Sequence, residues 1–228
     1  MGAFKLAIDE RGVAAVVFDL ADEKVNKLSA AVLAEFSNVL GELERNRSVR
    51  LLTLRSGKKG IFIAGADIAE LALKTPLEAR AYGELGQDIA HRLETMRKPS
   101  IAAVNGFALG GGCEIALACD IRLCSEKAVF GQPEVKLGIM PGWGGTQRLA
   151  RTTSLGFAKE VILTGRNVPA EEAYRRGLVQ AIHPQAELVP KAMEMAAQIA
   201  SMSPVAISYA KEGLNAFTEK RRPTFIGK

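Results

Sequence analysis

Lys98–Arg148 reads KPSIAAVNGFALGGGCEIALACDIRLCSEKAVFGQPEVKLGIMPGWGGTQR. Gly110-Gly111-Gly112 follows an apolar, strand-like run and opens an apolar helical run that begins at Cys113-Glu114. A second glutamate, Glu134, follows Pro133 in a segment that reads as a loop. Gly142, Gly144 and Gly145 then open another helix. Glycines admit unusual backbone angles and close approach of a ligand. Helix N-termini offer unpaired N–H groups and the positive end of the dipole. Together these make a place for a standing or developing negative charge. Glu114 lies in the first helical turn, followed by Ile115, Ala116, Leu117 and Ala118. A carboxyl against that apolar surface is expected to be partly desolvated and to titrate above its usual range. That suits proton transfer near neutral pH. Each feature alone has a plainer explanation, since the dipole favours a first-turn glutamate and a glycine run permits tight packing. Two glutamates beside two backbone-approach loops in one uninterrupted segment point to a reactive site.

The motifs IAGAD, NGFALGGGCE, FGQPE and GIMPGWGGTQR, in that order, resemble the crotonase (enoyl-CoA hydratase/isomerase) superfamily. The resemblance runs from Val25 to Asn215, with a short match in the tail. Glu114 and Glu134 stand at the family's two catalytic glutamate positions, as in its hydratase branch. The resemblance implies an α/β fold built as a spiral of ββα units, with a C-terminal helical region. It implies hydration of 2-enoyl-CoA to 3-hydroxyacyl-CoA, in fatty-acid β-oxidation or a related acyl-CoA pathway. By resemblance, the N–H groups of Ala66 and Gly111 form the oxyanion hole, and that of Gly142 orients the water. Lys24, Val25, Ala64, Ala66, Asp67, Ile68, Gly110 and Trp143 would contact the coenzyme or the acyl chain. Phe217 and Lys220 would reach coenzyme held by a neighbouring subunit. On the residues alone, Lys24–Leu28 is a solvated loop and Asp67 a helix cap, while Trp143 serves core packing and the acyl pocket equally well. A side chain at Gly111 is expected to clash with the thioester or turn the N–H away. The resemblance implies no separate cofactor, because coenzyme A arrives as part of the substrate, and a homo-oligomer, a trimer or a dimer of trimers.

Composition is that of an ordinary globular chain: 228 residues, 48% hydrophobic and 24% charged. The longest apolar candidate, residues 101–121, contains Asn105, Glu114 and Asp120, so no membrane span is expected. The N-terminus MGAFKLAIDERG lacks a signal-peptide core. Cys113, Cys119 and Cys124 fit no zinc or redox spacing, and read as reduced residues of a cytoplasmic or organelle-matrix protein. His91 and His183 lack metal-ligand spacing, and no metal is expected. Net charge is +5 with pI near 9.2, which suits a phosphate-rich ligand or nucleic acid. No Lys/Arg run is interleaved with aromatics, so an acyl-CoA partner is favoured over RNA. A dinucleotide fold fails on spacing, since the glycines do not form G-x-G-x-x-G, and GWGGTQR is not a P-loop. Double-bond isomerisation is the nearest rival, but isomerases of the family commonly use one acid at a different position.

Phe4–Ile8 and Val13–Phe18 read as a hairpin. Ser29 caps an amphipathic helix to Asn46, and residues 51–54, 61–63 and 100–104 read as buried strands. Helices are expected over residues 68–73, 76–96, 144–150, 154–163, 170–176, 185–201 and 204–217, with a last strand at 179–182. Residues 1–185 form the expected core, with residues 186–228 a helical, oligomerising region and tail. A few dozen residues of the family pattern are missing between Asn215 and Ala216.

Overall fold

The computed structural model describes residues 2–225. Strands β1 (Phe4–Ile8) and β2 (Val13–Phe18) form the antiparallel hairpin. Helix α1 (Ala30–Arg45) follows, and the Ser29 hydroxyl accepts from Val32 N at 3.2 Å. Next come β3 (Leu51–Ser56), β4 (Ile61–Ile63), α2 (Ile68–Leu71) and α3 (Pro76–Thr95). Thr75 and Glu78 form a reciprocal capping box before α3, satisfying donors that the helix cannot pair internally. The middle of the chain runs through β5 (Ser100–Val104), β6 (Phe107–Leu109), α4 (Gly111–Ala118), β7 (Ile121–Ser125) and β8 (Val129–Gly131). A 3-10 turn (Pro133–Leu137), α5 (Gly145–Thr152), α6 (Leu155–Thr164) and β9 (Asn167–Pro169) follow. The chain closes with α7 (Ala170–Arg175), β10 (Ala181–His183), α8 (Leu188–Ala200) and α9 (Pro204–Thr218).

A repeating unit organises these elements. β3, β5 and β7 each join a six-stranded sheet of order β1-β2-β3-β5-β7-β10. The next strand in each case, β4, β6 or β8, joins a second sheet of order β4-β6-β8-β9. Helical segments then return the chain to the first sheet, with β9 interposed after β8. Successive turns of strand, strand and helix make the spiral that the motifs implied. Its central strands are largely buried and mostly apolar because both faces are covered. Ile101 and Ala103 of β5 pack with Leu51, Leu123 and the α8 residues Leu188, Ala192 and Ala196. Ala102 and Val104 face the other way, into a core with Leu52, Leu54, Phe18 and Phe36.

The C-terminal helices are tied to this core by buried polar contacts. Lys211 of α9 donates to Asp120 Oδ2 at 2.7 Å and to Leu93 O at 3.2 Å. The same Asp120 oxygen accepts from Ser100 N at 2.8 Å and Ser100 Oγ at 2.9 Å. Asn215 Nδ2 donates to Glu94 O at 2.9 Å, and Ala216 is buried. The junction between Asn215 and Ala216, where the break in the family pattern is expected, lies inside the uninterrupted α9.

Several elements differ from expectation. β9 was not foreseen: it is three residues long, ends in proline, and exists through antiparallel pairing with β8. Glu134 sits on a tight 3-10 turn rather than in an open loop. α8 starts at Leu188, with Pro190 in its first turn, where a missing N–H leaves no bond unmade. The last strand is Ala181–His183, shifted by its parallel register with β7.

Replacing Lys211 by Met strips Asp120 of its cation in a half-buried setting. Urea unfolding is expected to show a loss of about 2 kcal/mol. The double variant Lys211→Met/Asp120→Asn is expected to recover much of it. An unchanged midpoint in the single variant would show that the pair does not anchor α9.

Candidate active site

The turn between β6 and α4 creates the site. Gly110 has φ +52° and ψ −125°, a conformation that side-chain-bearing residues rarely adopt. A Cβ at Gly110 would lie 3.0 Å from Glu134 Oε1. The turn thus passes directly beneath the second carboxylate, while Glu114 rises from the helix that it starts. The two glutamates meet across a residue that has to be glycine.

Glu114 is 2% exposed. Its Oε1 accepts two backbone N–H bonds, from Trp143 and Gly145, each at 2.7 Å. Burial pushes its carboxyl above the usual range; the Gly145 and Trp143 N–H groups and the charge of Arg148 pull the other way. Arg148 is held by Glu94 at 2.7 Å and by Trp143 O at 2.8 Å. Glu134 is 8% exposed, and burial pushes its carboxyl up to about 7, with the negative charge of Glu114 adding to the rise. The 3-10 turn's own backbone donor opposes that rise.

Gln132, fully buried, completes the pair. With its amide nitrogen turned towards Glu134, it donates to the two carboxylate oxygens at 3.1 and 3.2 Å. That orientation matches donor to acceptor, whereas the opposite one faces oxygen to oxygen.

The two loops expected to carry the oxyanion donors run side by side. β4 and β6 pair in parallel, with Ile63 opposite Ala108, and both chains turn outward just beyond. A Cβ at Gly65 would sit 3.1 Å from Leu109 O, so the loops touch. Leu28 N donates to Gly65 O at 2.9 Å and Asp67 N donates to Leu28 O at 3.0 Å. That bridge points the intervening N–H, of Ala66, away from the Leu28 segment. Gly111 is the first residue of α4, where an N–H has no partner within the helix.

The remaining expected residues fall into three groups. Residues 24–28 and 64–67 are zipped together, with Ala64 N donating to Asn26 O at 2.8 Å. Lys24 and Ile68 are exposed there and Val25 half-buried. Asp67 caps α2 through Glu70 N and pairs with Lys27 at 3.1 Å, so the capping role foreseen for it holds. Gly142 lies on the loop before α5, and its carbonyl accepts from Gln87 at 2.8 Å. Phe217 (84% exposed) lies in the last turn of α9 and Lys220 just beyond its end. A Cβ at Gly111 would meet the Trp143 ring, 2.7 Å from Cε3. The obstacle to a side chain at Gly111 is thus the indole, ahead of any thioester.

Asn26 and Gln132 were passed over in the sequence. Asn26, fully buried, donates to Phe18 O at 2.8 Å, Ser56 Oγ at 2.9 Å and Phe62 O at 3.3 Å, and accepts from Leu20 N at 3.0 Å. It holds the 24–28 loop in place. A cavity of about 570 Å³, lined by Arg47, Arg50, Arg97 and Tyr209 among others, contains neither glutamate. Chemistry rather than cavity size marks the site.

The family profile described as enoyl-CoA hydratase/isomerase matches residues 9–228. The chain belongs to the enoyl-CoA hydratase/isomerase family. It is 46% identical over 208 residues to a short-chain-enoyl-CoA hydratase of Clostridium acetobutylicum, covering 91% of this chain and 80% of that one. It is 38% identical to a crotonyl-CoA hydratase of Syntrophomonas wolfei, covering 94% and 95%. The latter alignment spans 246 residues, more than the 228 of this chain, so this family member lacks positions its relative has. The crystal structure of an enoyl-CoA hydratase from Bacillus anthracis superposes with a TM-score of 0.88 at 34% identity, covering 99% of this chain and all of that one.

The raised Glu134 carboxyl has a consequence for stability. Its folded pKa of about 7 exceeds the unfolded value of 4.5, so ionisation works against folding. The stability it contributes is complete below 4.5 and is lost as pH rises through 7. Glu134→Gln is therefore expected to melt higher than the parent at pH 8, by the equivalent of about 2 kcal/mol. The advantage should vanish near pH 4.5, and a pH-independent difference in melting temperature would contradict the assignment.

Proposed function

We propose that the protein is an enoyl-CoA hydratase, adding water across the C2=C3 bond of a 2-enoyl-CoA. The observation that carries this reading is the pair of buried carboxyls facing each other across Gly110. They sit in unequal environments, and hydration needs unequal partners: one to take a proton from water, the other to give one to carbon.

Glu114 suits the first task. Two N–H groups fix Oε1 and offset part of the rise that burial imposes on the carboxyl, leaving Oε2 to receive a water proton. Glu134 suits the second, since a carboxyl titrating at about 7 carries a proton near neutrality. Water attacks C3 as Glu114 takes its proton, and the electrons of the double bond move onto the thioester oxygen. The N–H groups of Ala66 and Gly111 stabilise that oxygen, and Glu134 delivers a proton to C2. The product is the 3-hydroxyacyl-CoA, and a proton passed from Glu114 to Glu134 resets the pair. Preorganised donors of this kind are each worth roughly a hundred- to a thousandfold in rate. An isomerase needs one acid moving a proton between carbons, and the pairing of two carboxyls favours hydration over it.

The same reading assigns the zipped loops 24–28 and 64–68 to the coenzyme, with Lys24 at its phosphates. It divides the chain into a core over residues 1–185 and a C-terminal helical region over 186–228. It takes the working form as a homo-oligomer, a trimer or a dimer of trimers, in the cytoplasm. The exposure of Phe217 and Leu214 at the end of α9 supports a neighbouring copy there. No helix among the described residues is long and apolar enough to cross a membrane.

Loss of the enoyl thioester absorbance on adding crotonyl-CoA tests the reading. Glu114→Gln and Glu134→Gln are each expected to slow hydration by about a hundredfold or more. Near-full activity in either would remove that residue from the mechanism. Hydration by the parent should also decline as pH rises above about 7, following the loss of the Glu134 proton. A rate that stays flat to pH 9 would contradict the role given to Glu134.

A further inference from the structure

The position of the Trp143 side chain bears on which acyl chains fit. Its backbone N–H bonds Glu114, so residue 143 stands beside the carboxylate that takes the water proton. Its indole is buried, 4% exposed, in the gap between α3 and the start of α4. On one side the ring lies over Gly111, and on the other over Gly86 of α3, where a Cβ would come 2.5 Å from Cδ2. Tyr82, one turn earlier on α3, meets it at 5.4 Å between ring centroids, tilted by 60°. Both glycines lack a side chain on the surface that the indole occupies. The outer side of the gap is bridged by Gln87 Nε2, which donates to Gly142 O at 2.8 Å. Gly142 itself faces open space, with nothing within 4 Å of a Cβ built on it.

We propose that the indole of Trp143 is the end wall of the acyl site and confines the protein to short 2-enoyl thioesters. The proposal rests on the hydratase reading. With the thioester oxygen at Gly111 N and C3 between the two glutamates, C4 points towards residue 143. A small group there has the open space beside Gly142. A longer chain continuing between α3 and α4 runs into a six-membered ring already in contact with both helices. Close-packed interiors do not absorb such an overlap without displacement. Chains of about four to six carbons fit, and longer ones are excluded sterically. The alternative role for the ring is core packing alone. It predicts that shrinking the residue lowers stability and leaves the relative rates for short and long chains untouched.

The test compares kcat/KM for crotonyl-CoA and trans-2-decenoyl-CoA in the parent, Trp143→Ala and Trp143→Leu, with circular dichroism to establish folding. The Trp143→Leu variant leaves the smaller void and carries the test if Trp143→Ala fails to fold. The parent is expected to prefer crotonyl-CoA by about a hundredfold or more. The variants should shift the decenoyl-to-crotonyl ratio upward by about tenfold or more, whatever happens to the crotonyl rate alone. A folded variant whose ratio stays within about twofold of the parent would overturn the proposal, as would a parent that takes decenoyl-CoA as readily as crotonyl-CoA. Either result leaves the hydratase reading standing. A parent that hydrates neither substrate would overturn that reading, and this one with it.

Discussion

One oxygen of one buried carboxylate receives two backbone N–H bonds, and the geometry of the site depends on that contact. Glu114 Oε1 is held by Trp143 N and Gly145 N at 2.7 Å each. The contact joins two segments that are distant in sequence: the first turn of α4 and the loop that enters α5. It compensates part of the cost of burying a carboxylate, and it places the Trp143 side chain between two glycine surfaces. It also draws in Arg148, whose guanidinium bonds Trp143 O and Glu94 and so fixes the other end of the loop. Remove the carboxylate and the loop loses what it closes on.

The second constraint is the passage of the chain beneath Glu134. Gly110 gives the backbone a positive φ where Glu134 leaves no room for a side chain. The result is a pair of buried carboxyls that feel each other's charge. Like charges in such a place cannot both ionise cheaply. Burial and the neighbour's charge hold the Glu134 proton to about pH 7, with a backbone donor of the 3-10 turn opposing the rise. Burial raises the Glu114 carboxyl too, but two backbone donors to Oε1 and the charge of Arg148 offset part of that rise. The asymmetry that hydration needs thus follows from which neighbours each carboxyl has, and the two side chains are chemically the same.

Much of this was legible in the sequence where local rules decide the outcome. Ser29 before an amphipathic run marks a helix start, and residues 100–104 are apolar because both faces of β5 are covered. Both glutamates stood out because their glycine-rich surroundings are contiguous. What escaped is what only tertiary contact defines. β9 exists because β8 is there to pair with it. Asn26 looks like an ordinary loop residue until its four hydrogen bonds to Phe18, Leu20, Ser56 and Phe62 are seen. Gln132 sits inside a quoted motif, yet its contact with Glu134 depends on the turn at Pro133. Trp143 was equally consistent with core and pocket, and its packing against Gly86, on another helix, could not be read from its own segment. The break in the family pattern after Asn215 gave no hint that α9 runs straight through it.

Direct titration of the carboxyl pair tests the central claim, that burial and unequal hydrogen bonding split two identical side chains into an acceptor and a donor. The measurement is carbon-13 NMR of protein labelled at the glutamate side-chain carboxyls, with the two resonances assigned by their absence in Glu114→Gln and Glu134→Gln. The Glu134 signal is expected to titrate with a midpoint near 7, well apart from the surface glutamates. Removing the negative charge of Glu114 should lower that midpoint, because that charge contributes to the rise. A Glu134 resonance that titrates with the surface glutamates near 4.5, unmoved by the Glu114 substitution, would contradict the account.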